Sequence, residues 1–189
     1  MKCKLILFCV LTFAICHSQN KSIESQYDII YPLFDQDKDM GVFDLDCKVL
    51  KYSPEIDYKI MIDVTDSILD PKKMNPALAQ VGRVINLHII NGVPGDRLNV
   101  VVVFHGDSVN AIFTNAAYNE KYKTDNPNLE FLNALRDWGA ELYVCSQNLG
   151  FLDLPKAVIY EEVDIAVSAI TTFTHYDQKG YKYVDVNAN

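Results

Sequence analysis

The residues of this sequence with the most useful chemistry follow short apolar runs. His105 and Gly106 come directly after the run VVVVF. Cys145 ends the segment ELYVC, and Ser146 and Gln147 come after it. A thiolate is a strong nucleophile, and an imidazole exchanges protons near neutral pH. The sequence therefore predicts a thiol–imidazole site, provided that the fold brings the ends of the two runs together.

Strands and helices alternate from residue 58 onward, and this order places the two runs in one sheet. The patterns predict strands at 58–64, 98–104, 141–145, 164–167 and 181–186. Between them, helices are predicted from Asn75 to Gly92, from near Ser108, from Asn128 to Gly139 and over 169–179. Such alternation is typical of an α/β protein with a mainly parallel sheet and helices on both faces.

Ligands of open parallel sheets bind beyond the carboxyl ends of the strands, where His105, Cys145 and Ser168 are expected. Each residue also has a purely structural interpretation. Cys145 suits a buried core position, His105 a loop contact, and Ser168 a helix cap. Gln147 could simply close the turn. His88 lies on the inward stripe of its helix, and it joins the site only if it leans toward this edge.

Metal binding is an alternative to thiol chemistry at the same edge. Cys145, His105 and His88 would suit zinc or copper if their side chains converged, although no tight ligand spacing supports this. A second possibility is calcium, because the segment starting at Asp35 imitates an EF-hand loop. Its glycine, Gly41, comes one position late, so a solvated acidic turn is the favoured interpretation.

The first 18 residues have the organisation of a signal peptide. Lys2 and Lys4 precede an apolar run, Leu5 to Ile15, and a cleavage position precedes Gln19. A lipoprotein signal centred on Cys16 is the weaker alternative, and the run is shorter than the roughly 20 residues that span a bilayer. We therefore expect a periplasmic or secreted protein with no membrane attachment once the signal is removed.

Residues 19–57 are expected to form an extension with one strand, ahead of a domain at 58–189. Apolar and charged residues alternate from Val42 to Leu50, which is typical of a half-buried strand, and Cys47 falls on its apolar side. Loss of the signal would leave Cys47 and Cys145 as the cysteines of the mature chain. A buried Cys47 is favoured, and a Cys47–Cys145 disulfide is the alternative.

The charge and the motifs exclude several function classes. The formal net charge is −8 and no Lys/Arg cluster is present, which argues against nucleic acid as a partner. The sequence has no glycine-rich phosphate loop, no G-x-G-x-x-G and no G-x-S-x-G, so no cofactor is expected.

Several segments together resemble the DsrE/DsrF-like family, and in particular its exported branch. They are VVVVFHGD ending at Asp107, TDNPNL from Thr124, the strand end LYVCSQ, and SAIT from Ser168 with the later Gly180-Tyr181. Asn75, Arg83, Asn86 and His88 of the first helix also fit. The resemblance covers roughly residues 58–186.

The resemblance implies a three-layer flavodoxin-like fold and a homo-oligomer, either a trimer or a hexamer. It also implies that Cys145 carries sulfur as a persulfide, received from a small sulfur donor and passed to an acceptor thiol. Catalytic turnover is an open question. Cys145 and His105 are the expected reactive pair, and the expected ligand-binding residues are Gln147, Ser146, Gly106, Ser168 and His88. The first alternative is a non-catalytic periplasmic module that binds a small anion or a metal at the same edge. The second is a structural oligomer whose partner is another exported protein.

Overall fold

The computed structural model describes residues 27–45 and 49–187, and a five-stranded parallel sheet lies at its centre. The strands run in the order β6-β5-β4-β3-β7, and a separate antiparallel pair, β1-β2, precedes them in the chain. The bounds are Ile29–Ile30 (β1), Val42–Phe43 (β2), Tyr58–Val64 (β3), Leu98–Phe104 (β4), Glu141–Cys145 (β5), Asp164–Ala166 (β6) and Lys182–Asp185 (β7).

The helices of the described residues connect successive parallel strands. Short 3₁₀ turns occur at Lys38–Met40, Gly95–Arg97, Gly106–Ile112 and Lys156–Val158. The α-helices are Pro76–Ile90 (α1), Asn115–Tyr122 (α2), Leu129–Trp138 (α3), Ser146–Phe151 (α4) and Ala169–Gln178 (α5).

The sheet is covered on both faces, and this produces three layers. Ile60, Ile62 and Val64 of β3 face the larger core cluster, to which α1, α2, α3 and α4 contribute. Met61, between them in the sequence, faces the smaller cluster together with Ala169 and Tyr176 of α5. Only α5 covers that second face among the described helices. The expected flavodoxin-like α/β fold is therefore confirmed.

Several expected helix ends have the expected chemistry, although Asn128, at the start of α3, makes no side-chain capping hydrogen bond. The Asn75 side chain accepts a hydrogen bond from the Ala77 N–H at the start of α1, and Ser168 accepts one from the Thr171 N–H at the start of α5. Gly139 ends α3 in the left-handed conformation (φ 108°), which glycine adopts without a steric penalty.

The short helix predicted to start near Ser108 corresponds to the 3₁₀ turn Gly106–Ile112, and two further helices, α2 and α4, were not predicted from the sequence. Of the eight residues of α2 only Tyr118 is buried, and of the six residues of α4 only Leu149. A single buried side chain gives no apolar repeat at helical spacing, so the pattern that identifies other helices is missing here.

The strand predicted from Val42 to Leu50 is wrong in both length and facing. Strand β2 contains only Val42 and Phe43, and the buried residue is Val42 rather than Phe43. Leu45 and Val49, which the alternation placed on the apolar side, are exposed. These exposed side chains pack against no sheet, so the alternation did not indicate a half-buried strand here. Cys47 lies outside the described residues.

The segment from residue 27 to residue 41 packs on the domain. Phe34 and Met40 are buried in the larger core cluster. Met40 lies against Gly82 in the middle of α1, where an added Cβ would come within 2.8 Å of the Met40 side chain. The missing side chain of Gly82 therefore lets this segment approach the helix closely.

No helix among the described residues is both long enough and apolar enough to cross a membrane. The signal peptide expected at residues 1–18 lies outside the described residues.

Candidate functional site

Cys145 is the last residue of β5 and directly precedes α4. Its side chain belongs to the smaller core cluster, where it packs with Val103 and with Ala169 at the start of α5. The residue is 5% exposed, and its thiol is not in a disulfide. The thiol therefore lies just below the surface at the carboxyl edge of the sheet, under the first turn of α5.

His105 follows β4, the strand next to β5, and its ring is held by a carboxylate. The Nε2 atom lies 2.7 Å from Oδ1 of Asp63, which is on β3. Asp63 is 7% exposed, so this carboxylate is nearly enclosed by the fold. A buried carboxylate needs hydrogen-bond donors, and the imidazole N–H provides one of them.

Tyr183 of β7 provides the second donor. Its hydroxyl donates to Oδ2 of Asp63 at 2.6 Å. Although half of the Tyr183 side chain is exposed, burial near the hydroxyl raises its pKa well above the usual value, and the bond to Asp63 adds to this effect. Phe173 of α5 packs edge-on against both rings, with centroids 6.1 Å from His105 and 5.4 Å from Tyr183.

The strand register places Cys145 and His105 side by side. Phe104 pairs with Val144 across the parallel strands β4 and β5, so the next residue on each strand occupies equivalent positions on the face covered by α5. Neighbouring strands lie about 4.8 Å apart. The predicted convergence of a thiol and an imidazole at one edge is therefore present in the backbone geometry.

Ser146 and Gln147 lie beside Cys145, and their side chains tie the start of α4 to the end of β6. The Ser146 hydroxyl and the Gln147 side-chain amide both donate to the Val167 carbonyl, at 2.9 Å and 3.2 Å. Ser168, the next residue, caps α5. Ser146 and Gln147 directly follow Cys145, and Ser168 follows Ala166, the strand partner of Cys145, by two residues. The polar groups of all three side chains have internal partners.

Gly106 and Ser108 shape the turn after β4. Gly106 has a positive φ of 60°, a conformation that favours glycine. The buried Ser108 hydroxyl contacts the carbonyl oxygens of Val64 and His105, at 2.6 Å and 2.8 Å. These contacts hold the ends of β3 and β4 together, and so they fix the backbone that carries His105.

His88 does not join this site, and the prediction that placed it there is wrong. It lies in the last turn of α1, and its Nδ1 atom is 2.8 Å from the Val84 carbonyl of the same helix. Because α1 runs antiparallel to the strands that it connects, its end lies at the amino edge of the sheet. There His88 lines a groove of about 380 Å³ with Phe43, Leu45 and Leu87.

The part of the chain that the structure describes contains no set of ligands for either metal alternative. No three His, Cys, Asp or Glu side chains of that part come together in a group that could hold a metal ion. In the acidic turn, Asp37 accepts a hydrogen bond from the Asp39 N–H and caps the turn at Lys38–Met40.

Asp63, Tyr183 and Phe173 were missed as site residues in the sequence. The available signal was Asp63, a lone carboxylate in the apolar run IMIDV that becomes β3. A charge inside a doubly covered strand requires a partner. No sequence pattern identified that partner, because β7 is the last strand in the chain and pairs with β3 only in the folded sheet.

A groove of about 200 Å³ lies on the same face as Cys145, between α5 and the strands β5 and β6. Tyr143, two residues before Cys145, contributes to its wall. The hydroxyls of Tyr143 and Tyr176 both donate to Oε2 of Glu141, at 2.9 Å and 2.7 Å. The remaining lining residues are Val167, Thr171, Thr172 and His175.

These features define a parallel α/β protein with a thiol and a carboxylate-held imidazole at the carboxyl edge of its sheet. The profile of the DsrE/DsrF-like family matches residues 60–186, about two thirds of the chain. The chain belongs to the DsrE/DsrF-like family. At the level of the family, this membership supports a protein of the sulfur-relay type.

Among solved structures, the chain is similar to MTH1491 of Methanobacterium thermoautotrophicum, described as a protein of unknown function. The two share 18% sequence identity with a TM-score of 0.49, over 68% of this chain and 99% of that chain. No curated protein matches the chain.

Proposed function

We propose that this protein is an exported carrier of sulfane sulfur that acts through Cys145. The observation that carries the proposal is the position of this thiol beside His105 at the end of neighbouring parallel strands. Cysteine and histidine in this arrangement are a nucleophile and a proton acceptor. Family membership supports sulfur as the cargo.

The proposed loading step transfers one sulfur atom without net oxidation. The Cys145 thiol gives its proton to His105, and the thiolate attacks the terminal sulfur of a donor R–S–SH. The S–S bond of the donor breaks, Cys145–S–SH forms, and the leaving R–S⁻ takes the proton back from the imidazolium. Delivery to an acceptor thiol is the same reaction in reverse.

The neighbouring side chains are proposed to assist the binding of sulfur by ordering the backbone around Cys145 and His105. Ser146 and Gln147 fix the turn after Cys145 on the Val167 carbonyl, and Ser168 fixes the start of α5. Gly106 shapes the turn after His105. The groove lined by Tyr143 and His175 provides a route on the same face for a small donor.

Two further parts of the proposal concern the setting of the protein. Export rests on the signal-peptide pattern of residues 1–18 and gives a periplasmic or secreted protein. A homo-oligomer, either a trimer or a hexamer, is supported by exposed apolar side chains close to the site. Val167 is 70% exposed and Ile170 is 77% exposed, and both flank the Ser168 cap next to Cys145.

The experiment is a measurement of bound sulfane sulfur by its reaction with cyanide. The purified protein is incubated with polysulfide, separated from excess donor, and treated with cyanide to release thiocyanate. The native protein should hold sulfur, and Cys145→Ser should hold none while it keeps its circular dichroism spectrum. The matched control is Cys47→Ser, which removes the other thiol of the expected mature chain and should keep the sulfur. Equal loading of the native protein and Cys145→Ser would contradict the proposal.

The same experiment distinguishes a binding module from a sulfur carrier. A protein that only holds a small anion at this edge would load no cyanide-reactive sulfur, and yet sulfite or sulfate would shift its melting temperature in the native protein and in Cys145→Ser alike. That outcome would replace the carrier proposal with the binding alternative.

A further inference from the structure

We infer that Asp63 is a positioning residue that fixes the tautomer of His105 and leaves Nδ1 as the nitrogen that exchanges protons with thiols at Cys145. This inference rests on the proposed function and adds to it a residue of a different strand. Three strands contribute, since Asp63 is on β3, His105 follows β4, and Cys145 ends β5.

The tautomer follows from the partners of the Asp63 carboxylate. An ionised carboxylate accepts hydrogen bonds and donates none, so the 2.7 Å contact of Oδ1 requires a proton on Nε2 of His105. The other oxygen, Oδ2, accepts from the Tyr183 hydroxyl at 2.6 Å. A neutral imidazole has a single N–H, and therefore its basic lone pair is on Nδ1.

The imidazole is held in place but is still reachable. Its edge-on contact with Phe173 and the contact with Asp63 come from opposite elements, the helix α5 and the strand β3. The His105 side chain is 28% exposed, and Nδ1 has no hydrogen-bond partner among the described residues. A fixed ring with one unoccupied basic nitrogen is suited to proton transfer.

The charges around the ring fit the same role. When Nδ1 takes up a proton, the imidazolium forms beside the buried Asp63 carboxylate, which compensates its charge. No lysine or arginine hydrogen-bonds to this pair among the described residues. The titratable groups beside the pair are Tyr183, whose hydroxyl donates to Asp63, Asp185, which is the strand partner of Asp63 on β7, and Cys145 at the end of β5. The helix α5 packs on the ring through Phe173, which does not titrate.

In sulfur delivery the inferred role is a balanced proton shuttle. The acceptor thiol R–SH gives its proton to Nδ1, and R–S⁻ attacks the outer sulfur of Cys145–S–SH. The S–S bond of the persulfide breaks, R–S–SH leaves, and the Cys145 thiolate receives the proton from Nδ1. Asp63 keeps its negative charge throughout and touches neither sulfur.

The test compares Asp63→Asn with Asp185→Asn. Both remove one carboxylate from the same face of neighbouring strands, and only Asp63 contacts His105. The purified protein is loaded with polysulfide at alkaline pH, where thiolates form without a base, and sulfur transfer to a small thiol is then timed from pH 6 to 9. We expect Asp63→Asn to load normally, to transfer at least about tenfold more slowly near pH 7, and to approach the native rate at high pH.

Several outcomes would separate this inference from the proposed function. If neither the native protein nor any variant loads sulfur at any pH, the proposed function fails. If the native protein loads and transfers sulfur and Asp63→Asn has the pH profile of Asp185→Asn, only the role of Asp63 is overturned. A double variant with His105→Gln should be no slower than His105→Gln alone, because Asp63 acts through His105.

A measurement on the native protein covers the case in which Asp63→Asn does not fold. Nitrogen-15 NMR of the imidazole distinguishes a proton on Nε2 from a proton on Nδ1. We expect the Nε2–H tautomer for His105 at neutral to mildly alkaline pH. A predominant Nδ1–H tautomer would overturn the inference.

Discussion

The side chain of Asn86 hydrogen-bonds to both the N–H and the carbonyl of Phe34, at 3.0 Å and 2.8 Å. It also accepts from the Leu33 N–H and donates to the Met40 carbonyl. Asn86 is completely buried in α1, and Phe34 lies more than fifty residues earlier in the chain. One amide therefore provides four hydrogen bonds that attach the segment before β2 to the domain.

Replacing Asn86 should detach that segment. Asn86→Ala leaves buried backbone groups at Phe34 and Met40 without these partners and also removes the bond to the Leu33 N–H, and we expect a loss of roughly 2–4 kcal/mol in the free energy of unfolding. Chemical denaturation measures the loss. Asn119→Ala, on the exposed surface of α2, is the matched control and should change stability by less than about 0.5 kcal/mol. Equal stability of the two variants would contradict this account of the N-terminal segment.

Access to Cys145 should depend on the side chains of α5. Phe173 packs against the cluster that contains the thiol, and its removal opens space above it. We expect Phe173→Ala to raise the rate of Cys145 alkylation several-fold and to lower stability by roughly 2–3 kcal/mol. Phe151→Ala is the control, since Phe151 is 86% exposed and should affect neither quantity. An unchanged alkylation rate in Phe173→Ala would mean that the thiol is reached from another side.

Alkaline pH should destabilise the fold through its buried tyrosines. Burial raises the pKa of Tyr118 to about 12, whereas an unfolded tyrosine titrates near 10. The protonated phenol therefore contributes stability that is complete below pH 10 and is lost as the pH rises toward 12. Tyr118→Phe gives up the hydrogen bond to the Pro71 carbonyl, at a cost of about 1 kcal/mol.

Denaturation at several pH values tests this linkage. The stability of Tyr118→Phe should fall less steeply than that of the native protein between pH 10 and pH 12. The slope should not vanish, because burial also raises the pKa values of other tyrosines, among them Tyr176 and Tyr143. Parallel curves for the two proteins would rule out Tyr118 as a contributor.

Oligomer formation should depend on the exposed apolar side chains beside the site. Ile170→Glu places a charge on the outer face of α5, and we expect it to reduce the molecular mass measured by light scattering to that of a smaller assembly. Asn119→Glu, on the exposed surface of α2, is the control and should leave the mass unchanged. A native protein that is monomeric would contradict the proposal of a homo-oligomer.

Much of the sheet could be predicted from the sequence because its strands are buried on both sides. Five consecutive apolar residues, Val100 to Phe104, are best accommodated in a strand that is covered on both faces, and β4 contains them. The helix ends at Asn75 and Gly139 could be predicted equally well, since each requires a particular side chain or backbone conformation. The alternation from Val42 to Leu50 gave a wrong strand prediction, because alternation indicates a half-buried strand only where one face of the strand is covered.

The site could be predicted only in part. Cys145 and His105 were identifiable because each lies at the carboxyl end of a strand, and these strand ends meet at one edge of a parallel sheet. The contact of Asp63 with His105 and Tyr183 depends on the strand order, in which β3 lies between β4 and β7. No local pattern contains that order. His88 was misplaced because helical periodicity gives the face of a residue and does not show which edge of the sheet it approaches.

The most direct test of the central claim is the intact mass of the unreduced protein before and after treatment with polysulfide. We predict a gain equal to one or more sulfur atoms that peptide mapping places on Cys145 and that a reductant removes. A protein that gains no sulfur on Cys145, or whose mass is two hydrogens short because Cys47 and Cys145 form a disulfide, would contradict the sulfur-carrier account.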